Sequence, residues 1–91
     1  VLEAAKEAWE ESGYQVLGLA PTGRARDNLV GVGLKAMTLH KFLYEYARGR
    51  YHLNAKSVLV LDEAGMVSSQ HFEKLLTAAK TLGVKLVGVG D

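Results

Sequence analysis

Apolar and polar positions fall into blocks along the chain, and one block is apolar throughout: Val58-Leu59-Val60-Leu61, following Ser57. Four consecutive branched aliphatics leave no polar face, so this segment reads as a strand covered on both sides, as in the interior of a parallel sheet. Tyr14 to Ala20 and Val84 to Val89 give two further strands. Between the strands the period becomes helical. Val1, Ala5, Ala8 and Trp9 form a stripe over residues 1–12, which Gly13 stops. Ala25, Leu29 and Val30 point inward from a short helix over residues 24–30, closed by Gly31 and Gly33. Thr38 is a good N-cap for a helix carrying Leu39, Phe42, Leu43 and Tyr46, which Gly49 ends. Phe72, Leu75, Leu76, Ala79 and Leu82 form the clearest stripe, capped by Ser68 or Ser69 and stopped by Gly83. This alternation predicts an α/β fold with a three-stranded parallel sheet flanked by helices and right-handed crossovers. Strands 14–20, 57–61 and 84–89 should be adjacent in that order, with helices 24–30 and 69–82 on one face.

The central strand runs straight into Asp62-Glu63. Burying two unpaired carboxylates is costly, so they should emerge at the carboxyl end of the strand, where open α/β sheets place their ligands. A magnesium nucleotide suits such a place, with Asp62 holding Mg²⁺ and Glu63 positioning and deprotonating a water. A core strand ending in a solvated acidic turn is the plainer reading of the same residues. Pro21-Thr22-Gly23-Arg24 sets a hydroxyl, free N–H groups and a guanidinium at a strand-to-helix junction, which fits a phosphate or an ordinary capped turn. Thr38-Leu39-His40-Lys41 offers a similar set. Parallel strands bring Pro21-Thr22-Gly23, Asp62-Glu63 and Gly90-Asp91 to one edge of the sheet. Their convergence says more than any of them singly. Tyr44, Tyr46 and Tyr51 lie near Arg48 and Arg50 and are able to stack on bases, with packing the expected role of at least two. His52 and His71 have no partner at metal spacing and read as structural or surface residues. Neither Gly31-Val32-Gly33 nor Gly88-Val89-Gly90 completes a dinucleotide fingerprint.

Composition adds bounds. The chain has 91 residues, 48% hydrophobic and 23% charged, enough for one small domain with a modest core. With no cysteine there is no disulfide framework or thiolate metal site, and no apolar stretch approaches a membrane span. Val1-Leu2-Glu3-Ala4 lacks the layout of a signal peptide and an initiator Met, as expected of an internal piece of a longer protein. The net charge of +1 hides an asymmetry, because residues 24–56 carry seven Lys/Arg against Asp27 and Glu45. A basic middle third suits a phosphate backbone, although a solvated surface explains it equally well.

Taken in sequence, the motifs resemble the first motor domain of superfamily 1 RecD-like DNA helicases, as found in conjugative relaxases of the TraA type. Leu19-Ala20-Pro21-Thr22-Gly23-Arg24-Ala25 looks like motif Ia, and Thr38-Leu39-His40-Lys41-Phe42-Leu43 like the next DNA-contacting motif. Val60-Leu61-Asp62-Glu63-Ala64-Gly65-Met66 looks like motif II, the Walker B strand, and Val87-Gly88-Val89-Gly90-Asp91 like the start of motif III. The match is collinear over nearly the whole chain. It implies a three-layer, RecA-like P-loop NTPase domain in part, with helix 1–12 on the face opposite the other helices and strand 84–89 at an edge. By the resemblance, Asp62 binds Mg²⁺ and Glu63 is the catalytic base, while Thr22, Arg24, Thr38 and His40 touch single-stranded DNA and Asp91 couples nucleotide to DNA. The implied activity is ATP-driven unwinding of DNA in the cytoplasm, with other conjugation proteins as candidate partners. No G-x-x-x-x-G-K-[ST] loop occurs in these residues, and the second motor domain is also missing, so the piece alone is expected to be inactive. Two other classes fit part of the pattern: a non-enzymatic nucleic-acid-binding module, and another P-loop ATPase of the clamp-loader or partition type.

Overall fold

Every residue of Ser57–Leu61 is buried, and the rest of the chain is arranged to bury it. The computed structural model describes residues 2–51 and 53–89. In chain order the elements are α1 (Leu2–Glu11), β1 (Gln15–Ala20), α2 (Gly23–Gly31), β2 (Lys35–Thr38), α3 (Leu39–Ala47), β3 (Ser57–Leu61), α4 (Ser69–Leu82) and β4 (Lys85–Gly88), with a single 3₁₀ turn at Ala64–Met66. The sheet is wholly parallel and runs β2-β1-β3-β4. Gln15 lies opposite Ser57 and Leu19 opposite Leu61, so β1 and β3 are in register along their length.

The expected neighbours β1, β3 and β4 are present in the expected order, but the sheet has four strands where the pattern predicts three. The additional one, β2, is a four-residue edge strand, Lys35-Ala36-Met37-Thr38, paired with β1 from Leu17–Lys35 to Ala20–Thr38. It carries no run of branched aliphatics, because only one side of it is paired and its side chains are at most half-buried. It was therefore invisible to a search for buried strands.

This short strand reverses the winding. The crossover β1-α2-β2 moves outward, β2-α3-β3 returns past β1, and β3-α4-β4 continues in the return direction. Right-handed connections that run in opposite directions place their helices on opposite faces. Accordingly Ala25 and Leu29 of α2 pack with Val16, Ala20, Val58 and Val60, while Leu39 and Phe42 of α3 and Leu75 and Ala78 of α4 pack with Leu19, Leu59 and Leu61. The expectation that helices 24–30 and 69–82 share a face is thus overturned. So is the placing of helix 1–12 opposite the first of them, since Trp9 of α1 packs against the α2 side. Even-numbered positions of β1 and β3 serve one layer and odd-numbered positions the other, as the two-residue period of a strand requires.

The stripes also differ in width from those expected. Val30 is exposed rather than inward, and α4 buries only Leu75, Ala78 and Ala79, leaving Phe72 and Leu76 exposed. The caps fall where the sequence puts them. The Thr22 and Thr38 hydroxyls accept from Ala25 N at 3.1 Å and Lys41 N at 3.2 Å, and Ser68, not Ser69, caps α4 by accepting from His71 N at 3.2 Å. Gly83 closes α4 at φ 73°, a left-handed value that favours glycine. Among the described residues no helix is long and apolar enough to cross a membrane.

Gly18 lets α2 approach the sheet: a Cβ there would lie 2.9 Å from Leu29 Cδ1 and 3.4 Å from Ala36 Cβ. Leu29 is itself buried and has little room to yield. Gly18→Val is therefore expected to destabilise the fold by about 1–3 kcal/mol, the usual range for overpacking, read as a lowered urea midpoint.

Candidate functional site

The winding reverses at the carboxyl edge between β1 and β3, adjacent strands whose following helices leave to opposite faces. Ligands of open α/β sheets sit at such a point. Asp62 and Glu63 are its β3 side. Asp62 N donates to Leu19 O at 2.8 Å, which carries the pairing with β1 one residue past the end of β3. Asp62 Oδ1 accepts from Glu63 N at 3.0 Å. On the other flank, Val89 N donates to Leu61 O at 2.8 Å and Ala64 N to Val89 O at 3.2 Å, so the turn after Glu63 is tied to the chain leaving β4.

Between these ties the backbone of Glu63 is left-handed, with φ 51° and ψ 44°, and no other described non-glycine residue has a positive φ. For an L-residue that conformation costs about 1–2 kcal/mol. The hydrogen bonds of Asp62 N and Ala64 N on either side of it hold the turn in this conformation. Both carboxylates are half-buried, and among the described residues neither joins an ion pair, the pairs being Lys6–Glu10, Arg26–Asp27 and Arg50–Glu45.

The described residues contain no group of three or more His, Cys, Asp or Glu able to hold a metal ion. One or two carboxylates are the number that Mg²⁺ takes from protein when it keeps several waters and shares phosphate oxygens, and Asp62 and Glu63 are two. Asp62 presents one oxygen engaged by the backbone and a second free to ligate.

Thr22 and Arg24 stand at the carboxyl end of β1, in the cap and first turn of α2; Thr38 and His40 stand at the end of β2, in the cap and first turn of α3. All four share the edge that holds Asp62 and Glu63. Pairing of Ala20 with Thr38 makes the two motifs neighbours across one strand spacing, although their helices descend opposite faces. Each threonine oxygen accepts from its helix and keeps its own proton to donate, so capping does not exhaust it. Arg24 and His40 are exposed, and Arg24 is in no ion pair among the described residues. Asp91 and His52 lie outside the described residues.

One pairing escaped the sequence reading. His71, read from the sequence as a structural or surface residue, meets His40 edge to face, with ring centres 5.8 Å apart at 86°. The two are 31 positions apart in the chain, and only the knowledge that α3 and α4 begin at one edge on one face brings them together.

The AAA domain family matches residues 1–91. Over its whole length the chain is 42% identical to a probable conjugal transfer protein TraA of Sinorhizobium fredii, 41% to conjugal transfer protein TraA of Agrobacterium fabrum and 39% to conjugal transfer protein TraA of Rhizobium radiobacter. The chain spans 8% of the length of each of these relatives. The resemblance to TraA-type proteins is borne out, as is the parallel α/β architecture.

Because the left-handed backbone of Glu63 is a local cost, Glu63→Gly should relieve it. The expected result is a fold about 1 kcal/mol more stable by urea denaturation.

Proposed function

We propose that this chain, which belongs to the AAA domain family, is part of the first motor domain of an ATP-dependent DNA helicase in a TraA-type conjugative relaxase. The observation that supports this best is the Asp62-Glu63 pair, unpaired with any described cation and held at the edge where the winding reverses, with Glu63 fixed in a left-handed backbone. ATP and Mg²⁺ are the implied nucleotide and metal. Asp62 would hold the metal, which when bound would neutralise charge on the phosphates. Glu63 acts as general base: it takes a proton from water as the water oxygen bonds to the γ-phosphorus and the bond to the β-phosphate oxygen breaks, leaving ADP and phosphate.

Thr22, Arg24, Thr38 and His40 form the second half of the proposal, a phosphate-tracking line for single-stranded DNA along the same edge. Asp91 is proposed to couple the two halves. The phosphate cradle and its lysine are not in these residues, so the 91-residue piece alone should neither hold ATP tightly nor turn it over. We assign the parent to the cytoplasm, where its DNA and ATP are found, and count other conjugation proteins among its partners.

Two measurements on the full-length protein test this. Glu63→Gln should lower ATP turnover by about 10²-fold or more while a fluorescent nucleotide still binds. Turnover at the wild-type rate would remove Glu63 from the chemistry and favour a DNA-binding module without hydrolysis. Arg24→Ala should weaken single-stranded DNA binding for all sequences alike and reduce the salt slope by about one. An unchanged slope would make Arg24 a surface residue.

A further inference from the structure

A groove of about 960 Å³ runs between α3 and α4, on the face of the sheet below the edge. Both helices begin at the carboxyl edge, so its head is there, between His40 and His71. On α3, His40, Tyr44 and Arg48 follow at intervals of four, about 6 Å apart along the axis, and form one line descending from the edge. Tyr44 is 53% exposed. Arg48 Cζ lies 5.3 Å and Arg50 Cζ 6.0 Å from the centre of its ring. Its neighbour Tyr46 is used differently, stacked on Phe42 at 6.4 Å and against Tyr51 at 5.4 Å. Packing therefore accounts for Tyr46 and leaves Tyr44 without a core partner.

The opposite wall carries His71 and, one turn on, Lys74. Two acidic groups stand nearby: Glu45, already engaged by Arg50 at 3.0 Å, and Glu73 on the α4 wall. An exposed ring flanked by guanidiniums, facing an ammonium across a groove, is the combination that binds unpaired bases and the phosphates between them. The α3 wall itself is His40, Leu43, Tyr44, Tyr46 and Ala47, and Arg48 follows directly after it, over the Tyr44 ring.

We propose that the groove is a binding site for single-stranded DNA, a continuation of the strand's path from Thr38 and His40, with a base stacked on Tyr44 and adjacent phosphates on Arg48 and Lys74. This rests on the reading of Thr38 and His40 as DNA contacts. Stacking of this kind is tolerant of sequence, since every base has a π-face, so the site would lengthen the footprint without adding sequence preference.

The test measures binding of fluorescein-labelled oligothymidylates to the full-length protein by anisotropy, over a salt series, with one oligonucleotide long enough only for the edge and one several nucleotides longer. Tyr44→Ala is expected to weaken the longer one by about fivefold or more and to leave the shorter one unchanged, with Tyr44→Phe near wild type. Arg48→Ala should lower the salt slope for the longer one by about one. If Tyr44→Ala and Arg48→Ala bind both lengths as wild type while Arg24→Ala weakens both, the groove proposal is overturned and the edge path stands. Equal loss at both lengths in Tyr44→Ala also counts against a groove that extends the path. If Arg24→Ala too is without effect, the DNA reading of the edge falls with it.

Discussion

A strand buried on both faces has nowhere to place charge except its ends. Ser57–Leu61 is such a strand, and the desolvation cost of a carboxylate inside its layers dictates that Asp62 and Glu63 lie just beyond them. Everything at the candidate site follows from that exclusion. The neighbours that bury β3, namely β1 and β4, also supply the backbone groups that hold the acidic turn: Leu19 O on one side, and the chain at Val89 on the other. The same pairing that hides Val58 to Leu61 from water therefore aims the two carboxylates. Loss of sheet pairing at either flank would be felt at the site without touching an acidic residue.

The second determinant is a direction rather than a contact. Once β2 pairs on the outer side of β1, the chain must return across β1 to reach β3, and a right-handed connection then forces α3 and α4 to the opposite face from α2. The winding reverses between β1 and β3 because of that return. Without β2, a β1-to-β3 connection would run the same way as β3 to β4, all helices would share a face, and no reversal would occur there. Four residues with a weak pattern thus decide where a ligand is able to sit.

The strongly patterned parts of the sequence correspond to what is buried on two sides or capped by a side chain. The central strand, its two expected neighbours, the Thr38 cap and the stop at Gly83 were all legible, because burial and capping restrict residue type. Lys35–Thr38 was not legible, since an edge strand pairs through its backbone on one side and leaves its side chains largely free. Its omission carried a further error with it, the misplacing of two helices. Val30, Phe72 and Leu76 were misread for a related reason: an apolar residue next to a true core position widens an apparent stripe, and only packing shows that α4 meets the sheet through Leu75, Ala78 and Ala79. At the site, Asp62, Glu63, Thr22 and Thr38 stood out by chemistry and position. The left-handed backbone of Glu63 and the contact between His40 and His71 had no signal, because the first is set by hydrogen bonds from other strands and the second by topology.

The threonines and the glutamate show two ways of placing function on the same edge. Thr22 and Thr38 each use the hydroxyl oxygen to start a helix and retain a proton to donate, so the contact with DNA proposed for them would come at no conformational cost. Glu63 is the opposite case. Its side chain has no structural partner among the described residues, and its backbone holds a conformation that costs energy. Its backbone starts the 3₁₀ turn at Ala64–Met66, with Glu63 O accepting from Met66 N at 3.0 Å, while its side chain caps nothing. Position alone would make Asp62-Glu63 an acidic turn. The left-handed backbone, the absence of an ion pair among the described residues and the place at the reversal of winding are what the proposal of a reactive pair rests on.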